Sequence, residues 1–504
     1  MLKKLVVLFL IIAMSFSLFA CDKGGSSGSK NPVVVNAAWY QFPNSLDPVS
    51  EDINIVNYMI YHVYDRLVRF DGESNDWIPG IAKSWERDTD RSWTFEIDLS
   101  YKFHNGDQLT MDDVVYSIER LNDIPKQLDV SSKVESVSYE GNTLRLVGVN
   151  EDSSIAHRVL SVAVIVNKKY VEANGDEAIF LKPIGTGPYV VTEFTPGASC
   201  SLKRWEDYPF DKPQIEELNF SFIPETATRY MALETGSLQF TTDLTPLEIA
   251  AADADPNLHS YVQQTRLITF LFFNCERAPF DNVNVRKALV YAFDREGFCS
   301  LAGGKLSYET TLFCGYDDLA YNSPKLPGYD LEKAKEMLAA EGFDESNPLK
   351  FTLNVNSFVE PGIEMYQATL KQIGVEMTLN VLEFSAFLAA EGAGDFEVNT
   401  TPNRNNGNCA AGDLDRYDIN MIGSRNCSRY VNLEAQAIID KMRVENDPQK
   451  TKQMAIELQD IIAENVPMIA IYLYTFNTAM SKDLTGMYVD RNGVIDFRYA
   501  TYTG

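Results

Sequence analysis

The 504-residue sequence predicts an α/β fold, and three observations carry that prediction. Strand-like runs alternate with helix-like runs along the whole chain. The helix-like runs open on Thr or Asp caps and close on glycine. The length exceeds what a single core ordinarily fills and points to two to four domains.

Eight runs read as strands: "PVVVNAAW", "SWTFEIDL", "NTLRLVGV", "GPYVVTEF", "ELNFSFI", "LITFLFFN", "EMTLNVLEF" and "MIAIYLYTF". Each is rich in β-branched and aromatic residues and bounded by turn formers. Thr110, with Asp112 and Asp113 in its first turn, opens the helix "MDDVVYSIERL", where Val114, Ile118 and Leu121 recur at helical spacing. Asp447 before Pro448 is an N-cap with proline at the first helical position, and this helix runs to Glu464. "LEKAKEMLAAEGF" stops at Gly342 and "MYQATLKQIGV" at Gly374. No internal repeat is present.

Before these elements comes "MLKKLVVLFLIIAMSFSLFAC", which reads as a signal peptide over residues 1–20. Lys3 and Lys4 form its charged start, Leu5 to Phe19 its apolar run, and Ala20 the small residue before cleavage. Cys21 follows directly, then the Gly/Ser tract to residue 31. A cysteine there resembles the lipobox of bacterial lipoproteins, although Phe19 is uncommon at its middle position. Acylated Cys21 is then the new N-terminus, on a tether spanning ~17–19 Å. No later segment has the length and apolarity to span a bilayer. The formal charge of −27 argues against nucleic acid and against an electrostatic grip on anionic lipid. Six cysteines besides Cys21 would meet an oxidising compartment. Cys299 with Cys314 and Cys409 with Cys427 are the closest pairs in sequence, and reduced buried thiols are the alternative.

Catalytic patterns are thin. Gly24 to Gly28 fits G-x-S-x-G and Ser27 to Lys30 fits S-x-x-K, but both lie in the tether, where no nucleophile elbow can form. His62, His104, His157 and His259 have no partner at metal-ligand spacing, so no metal and no cofactor is expected. "FHNGDQLTMDD" sets His104 among aspartates, and reads more simply as a strand, an Asn-Gly turn and a capped helix. "GTG" at Gly185–Gly187 lacks the third glycine of a dinucleotide site.

Several separated segments together resemble the bacterial extracellular solute-binding proteins of family 5, dipeptide- and oligopeptide-binding lipoproteins of ABC importers. They are "SLDPVSEDINIVNYMIYHVYDRLVRFD", "PGIAKSWERDTDRSWTFEIDLSYKFHNGDQLTMDDVVYSIERL", "PIGTGPYVVTEFTPG", "FNCERAPFDNVNVRKALVYAFDRE" and "YDLEKAKEMLAAEGF", in the family's order. The resemblance implies a fold of the periplasmic-binding-protein type II kind, with two lobes about a two-strand hinge and an extra inserted domain. It implies a discontinuous domain I from residues 32–61, 181–268 and 476–504, an inserted domain II at 62–180, and a domain III at 269–475. It further implies a non-enzymatic monomer that hands peptides or other small polar solutes to a permease with its ATPase. A metal chelate, an oligosaccharide, or a chaperone, receptor or hydrolase retaining the fold are the alternatives.

The polar stretch "NRNNGNCAAGDLD", Asn403 to Asp415, has neither helical nor strand period. In peptide-binding members this place holds a Trp-x-x-Asp element whose aspartate pairs with the peptide's α-amino group. Counting back from Gly412 puts its two positions at Gly407 and Ala410; setting out from Phe396 puts them at Asn403 and Asn406. Neither alignment restores the carboxylate. Arg404 offers a fork for a carboxylate or phosphate, and Asn403, Asn405 and Asn406 donate and accept. Asp413 and Asp415 remain as anions. Trp39, Tyr40, Gln41 and Phe42, after the first strand, and Asn356, at the end of "FTLNVN", complete the set expected to meet ligand.

Overall fold

The computed structural model describes residues 32–504 apart from 48–53, 72–75, 124–130, 152–158, 160–162, 302–305, 308–325, 357–360, 405–413, 446 and 490–493. The signal peptide, Cys21 and the tether therefore lie outside the described residues, as do Cys314, Cys409, Asn405, Asn406 and Asp413.

In chain order the strands are β1 (Val34–Trp39), β2 (Val68–Asp71), β3 (Asp76–Pro79), β4 (Ala82–Thr89), β5 (Ser92–Ile97), β6 (Val134–Glu140), β7 (Thr143–Gly148), β8 (Tyr189–Thr195) and β9 (Ser199–Arg204). There follow β10 (Glu217–Phe222), β11 (Phe240–Thr241), β12 (Leu258–Phe273), β13 (Leu306–Ser307), β14 (Leu349–Asn356), β15 (Val375–Leu382), β16 (Val398–Arg404) and β17 (Met468–Ser481). The main sheet has the order β15-β14-β16-β12-β17-β11-β1-β10-β9-β8, with β13 on β17, and a second sheet has the order β4-β5-β7-β6. The eight strand-like runs all fall on strands. Thr110 caps the helix Met111–Glu119 in a capping box with Asp113, and Asp447 caps Pro448–Asn465. Gly342 and Gly374 take positive φ, 87° and 79°, just past their helices, the conformation that glycine adopts without a Cβ penalty.

Buried side chains gather around these sheets in separate clusters. One joins Val35, Tyr58, Tyr189, Phe220 and Phe497; a second, around the small sheet, joins Leu67, Phe95, Phe103 and Leu146. The C-terminal half of β12 divides two further clusters. Leu271 and Phe273 face one, Ile268, Phe270 and Phe272 the other. Covering on both faces explains why "LITFLFFN" is continuously apolar rather than alternating.

The expected disulfides are not formed at their described ends. Cys200, Cys275, Cys299 and Cys427 are thiols. Cys299 Sγ points at the Ile471 carbonyl, 4.0 Å away, and Cys427 Sγ donates to Glu391 Oε1 at 3.3 Å. Each sulfur lies against an acceptor of its own lobe, and the expected partners Cys314 and Cys409 lie outside the described residues. Among the described residues no helix is long and apolar enough to cross a membrane.

Candidate functional site

Strand direction locates a cleft. β17 is antiparallel to β12 over nearly its whole length. The first half of β12 and the end of β17 lie in an N-terminal lobe, where β11 pairs with Met480 and Ala479 and β1 and β10 run parallel to it. The second half of β12 lies in a C-terminal lobe, where β16 runs against it from Val398 opposite Phe273 to Arg404 opposite Leu267, with β14 and β15 parallel to β16. The carboxyl ends of both parallel sets therefore point at each other across the two continuous strands, and such ends are where open α/β sheets bind ligands. The β12–β17 register breaks there, between Gln264 opposite Thr475 and Ile268 opposite Leu473. That irregularity interrupts the ladder between the two lobes.

On the N-terminal side, β1 alternates. Val35, Ala37 and Trp39 point into the core, and Trp39 is fully buried with its ring 5.0 Å from Phe220 and 5.5 Å from Tyr58. Phe42 joins the same cluster at 7% exposure. These two aromatics are core walls rather than ligand contacts, because the two-residue period of the strand turns Trp39 inward. Tyr40 and Gln41 are exposed. Tyr40 lies 6.0 Å from the Arg229 guanidinium, and burial, aided by the Asp243 carboxylate, pushes its hydroxyl up to about 12. Arg229 donates to the Ile223, Pro224 and Thr242 carbonyls at 2.7, 2.9 and 3.4 Å, tying the ends of β10 and β11 together beneath Tyr40. Asp243, at the end of β11, holds φ 57°, a left-handed backbone unusual for a residue other than glycine.

On the C-terminal side, Asn356 and Arg404 end β14 and β16, so their backbones stand at the cleft. Asn403 and Arg404 belong to a strand, not to an aperiodic loop. The polar "VNTTPNR" is held extended by its neighbours: β12 along its whole length, β14 as far as Thr400. Beyond Thr400 β12 alone pairs with it among the described residues, and an edge position tolerates Pro402. Asp415 leaves the ligand set. It is 3% exposed and accepts from Arg443 Nη2 at 2.7 Å, and the same guanidinium holds Asp418 at 2.6 Å. Leu414, Arg416 and Tyr417 beside it are buried too, Arg416 over the Phe270 ring at 5.3 Å. "LDRY" is thus packing.

His104 and the "GTG" segment form one structural unit. His104 Nε2 donates to the Gly187 carbonyl at 2.8 Å, Nδ1 accepts from Gly185 N–H at 3.3 Å, and burial lowers the imidazole to about 4. A Cβ on Gly185 would stand 1.9 Å from the Val63 carbonyl, so the loop needs glycine to pass the end of helix Asn54–Val63. Among the described residues no three His, Cys, Asp or Glu side chains are placed to hold a metal.

The model of the bacterial extracellular solute-binding proteins, family 5 Middle, matches residues 76–418, well over half of the chain. The protein belongs to this solute-binding family. The dipeptide-binding protein of Escherichia coli is 25% identical over 479 residues, covering 86% of this chain and 87% of that one. Heme-binding protein A of Haemophilus influenzae is 25% identical over 527 residues, covering 93% and 94%. The crystal structure of a dipeptide-binding protein from a Pseudoalteromonas species in complex with Met-Leu superimposes with a TM-score of 0.80 at 20% identity, covering 93% of this chain and all of that one. This family member thus has the two-lobed type II fold.

Proposed function

We propose that this family 5 protein captures peptides or peptide-like solutes in the cleft between its lobes and delivers them to an ABC permease with its ATPase. The observation that carries the reading is the convergence of two sets of strand ends across a two-strand hinge. Residues 32–61, 181–268 and 476–504 act as domain I, 62–180 as the inserted domain II, and 269–475 as domain III. Acylated Cys21 anchors the monomer outside the cytoplasmic membrane. Two acyl chains or more, at about 0.8 kcal/mol per buried CH₂, make such anchoring stable. No step of bond making or breaking is assigned to it.

Ligand meets Tyr40 and Gln41 from one lobe and Asn356, Asn403, Arg404, Asn405, Asn406 and Asp413 from the other. With Asp415 committed to Arg443, and no carboxylate at either alignment of the amine-binding position, the ligand is polar and at least partly anionic. It is held by Arg404 more than through a free α-amine. The missing carboxylate also favours a second reading, a non-peptide solute in the same cleft.

Native mass spectrometry of the purified protein identifies any retained ligand, and calorimetry then tests the contacts. Arg404→Ala is expected to cost about 2–5 kcal/mol of binding if a desolvated carboxylate is its partner, and N-acetylation of a peptide ligand should cost much less than in a relative that carries the aspartate. An Arg404→Ala variant that binds like wild type, with binding lost on acetylation, overturns the assignment. Steady conversion of the ligand to a product at catalytic protein levels overturns the binding-protein reading itself.

A further inference from the structure

An ion pair joins the inserted region to the C-terminal lobe. Lys133 Nζ stands 3.8 Å from Asp415 Oδ2, with side-chain exposures of 22% and 4%. The two residues belong to different bodies of the molecule. Lys133 immediately precedes β6, an edge strand of the small sheet, and its carbonyl accepts from Val149 N–H at 2.8 Å. Val134 and Val137 of β6 pack on the core of the inserted region. Asp415 follows Leu414, a member of a C-terminal-lobe core. Its carboxylate is already oriented by Arg443, so it presents a fixed anion to whatever approaches.

We propose that Lys133 and Asp415 form a closing clasp, in which the protein's own ammonium takes an anion at the root of the ligand loop. The proposal rests on the closing-cleft reading above. A contact that exists only when the lobes are together favours the closed arrangement by its own free energy, whether or not ligand is present. Part of the drive to close is thus built into the chain, and a ligand without a free amine needs to supply less of it. Lys133 is a positioning residue, acting on closure rather than on ligand.

The clasp is tested on protein stripped of ligand by unfolding and refolding. Small-angle scattering is compared for wild type, Lys133→Met and Lys133→Arg at low salt and in about 0.5 M NaCl, where the screening length is about 4 Å. The closed fraction of wild type is expected to exceed that of Lys133→Met by about two- to fivefold, the range a partly exposed ion pair supports. High salt should bring wild type to the value of Lys133→Met, and Lys133→Arg should behave as wild type. Equal scattering for wild type and Lys133→Met at low salt overturns the clasp. So does a Lys133→Arg variant as open as Lys133→Met, since charge would then not be what closes the lobes. Trialanine added to wild type reads the other question separately: if it is not bound, the peptide reading suffers, and the comparison of stripped proteins still decides the clasp.

Discussion

Arg120 and Lys133 both carry positive charge from the inserted region to a neighbour, but one ends in a sealed pocket and the other at a half-open contact. Arg120 grips Asp47 of the N-terminal lobe in a fork, at 3.1 and 2.7 Å, with side-chain exposures of 8% and 1%, and reaches Asp176 at 3.3 Å. Lys133 Nζ meets Asp415 of the C-terminal lobe at 3.8 Å, with its own side chain 22% exposed. A buried fork cannot part without leaving a charge unsolvated, whereas the lysine can exchange its partner for water at little cost. The difference teaches which boundary moves. On the clasp proposal, the inserted region is expected to travel with the N-terminal lobe, and opening to occur at the Lys133 side.

The sharpest break of that contrast is Arg120→Met. It removes the guanidinium fork from Asp47, whose residue is fully buried, and is expected to cost about 3–5 kcal/mol. Denaturant unfolding should show either a large fall in midpoint or a separate early transition of the inserted region. A variant as stable as wild type would remove the rigid side of the comparison.

Next in size is a pair of variants at the same rigid boundary. Burial raises Asp65 from 3.8 to about 6 against the pull of Arg498 and Arg69, and burial lowers His62 from 6.5 to about 4 against the pull of Asp496. Between these values the folded protein holds Asp65 protonated and His62 neutral, while the unfolded chain holds the reverse. Stability rises with pH where the unfolded state binds more protons. The His62 contribution is therefore complete above pH 6.5 and lost as pH falls through about 4. The Asp65 contribution is complete below pH 3.8 and lost as pH rises through about 6. The two slopes oppose, and wild type should be nearly flat across that window from this pair. Asp65→Asn should uncover a rise of about 3 kcal/mol from pH 4 to 6.5, and His62→Gln a fall of about 3 kcal/mol from pH 4 to 6, at 1.36 kcal/mol per pH unit. Thermal unfolding across pH checks both signs. Parallel profiles for the two variants would show that the sites do not oppose each other.

How much of this was legible differs between backbone and boundary. The strand runs and the caps at Thr110, Asp447, Gly342 and Gly374 were visible because composition and local hydrogen bonding decide them. The inward turn of Trp39 follows the alternation of Val35, Ala37 and Trp39 along β1. β16 was hidden, since "VNTTPNR" has little strand propensity and owes its form to two neighbouring strands. The role of Asp415 is hidden for a related reason. Its partners Arg443 and Lys133 come from distant segments, and no local pattern announces them.

Asp415→Asn should fall between the extremes. It weakens the bond from Arg443, but that guanidinium keeps Asp418 at 2.6 Å, so the expected cost is about 1–2 kcal/mol in unfolding. A loss as large as that of Arg120→Met would put Asp415 among the sealed charges and blur the two boundaries.

Lys133→Met should have the smallest effect on global stability, at most about 0.5–1 kcal/mol. Two features set this expectation. The lysine is the more exposed partner, so little desolvation is recovered by removing its charge, and methionine keeps the apolar stem that covers the edge of the small sheet. Asp415, meanwhile, keeps Arg443 at 2.7 Å and is not left as an uncompensated buried anion. At the rigid boundary the fork is sealed, with Arg120 and Asp47 at 8% and 1% side-chain exposure, which is why the same change of charge there is costly. Equilibrium unfolding of Lys133→Met, run beside Arg120→Met, reads the difference directly. A loss above about 2 kcal/mol for Lys133→Met would mean that its contact is part of the folded frame rather than one that opens, and the moving boundary would have to lie elsewhere.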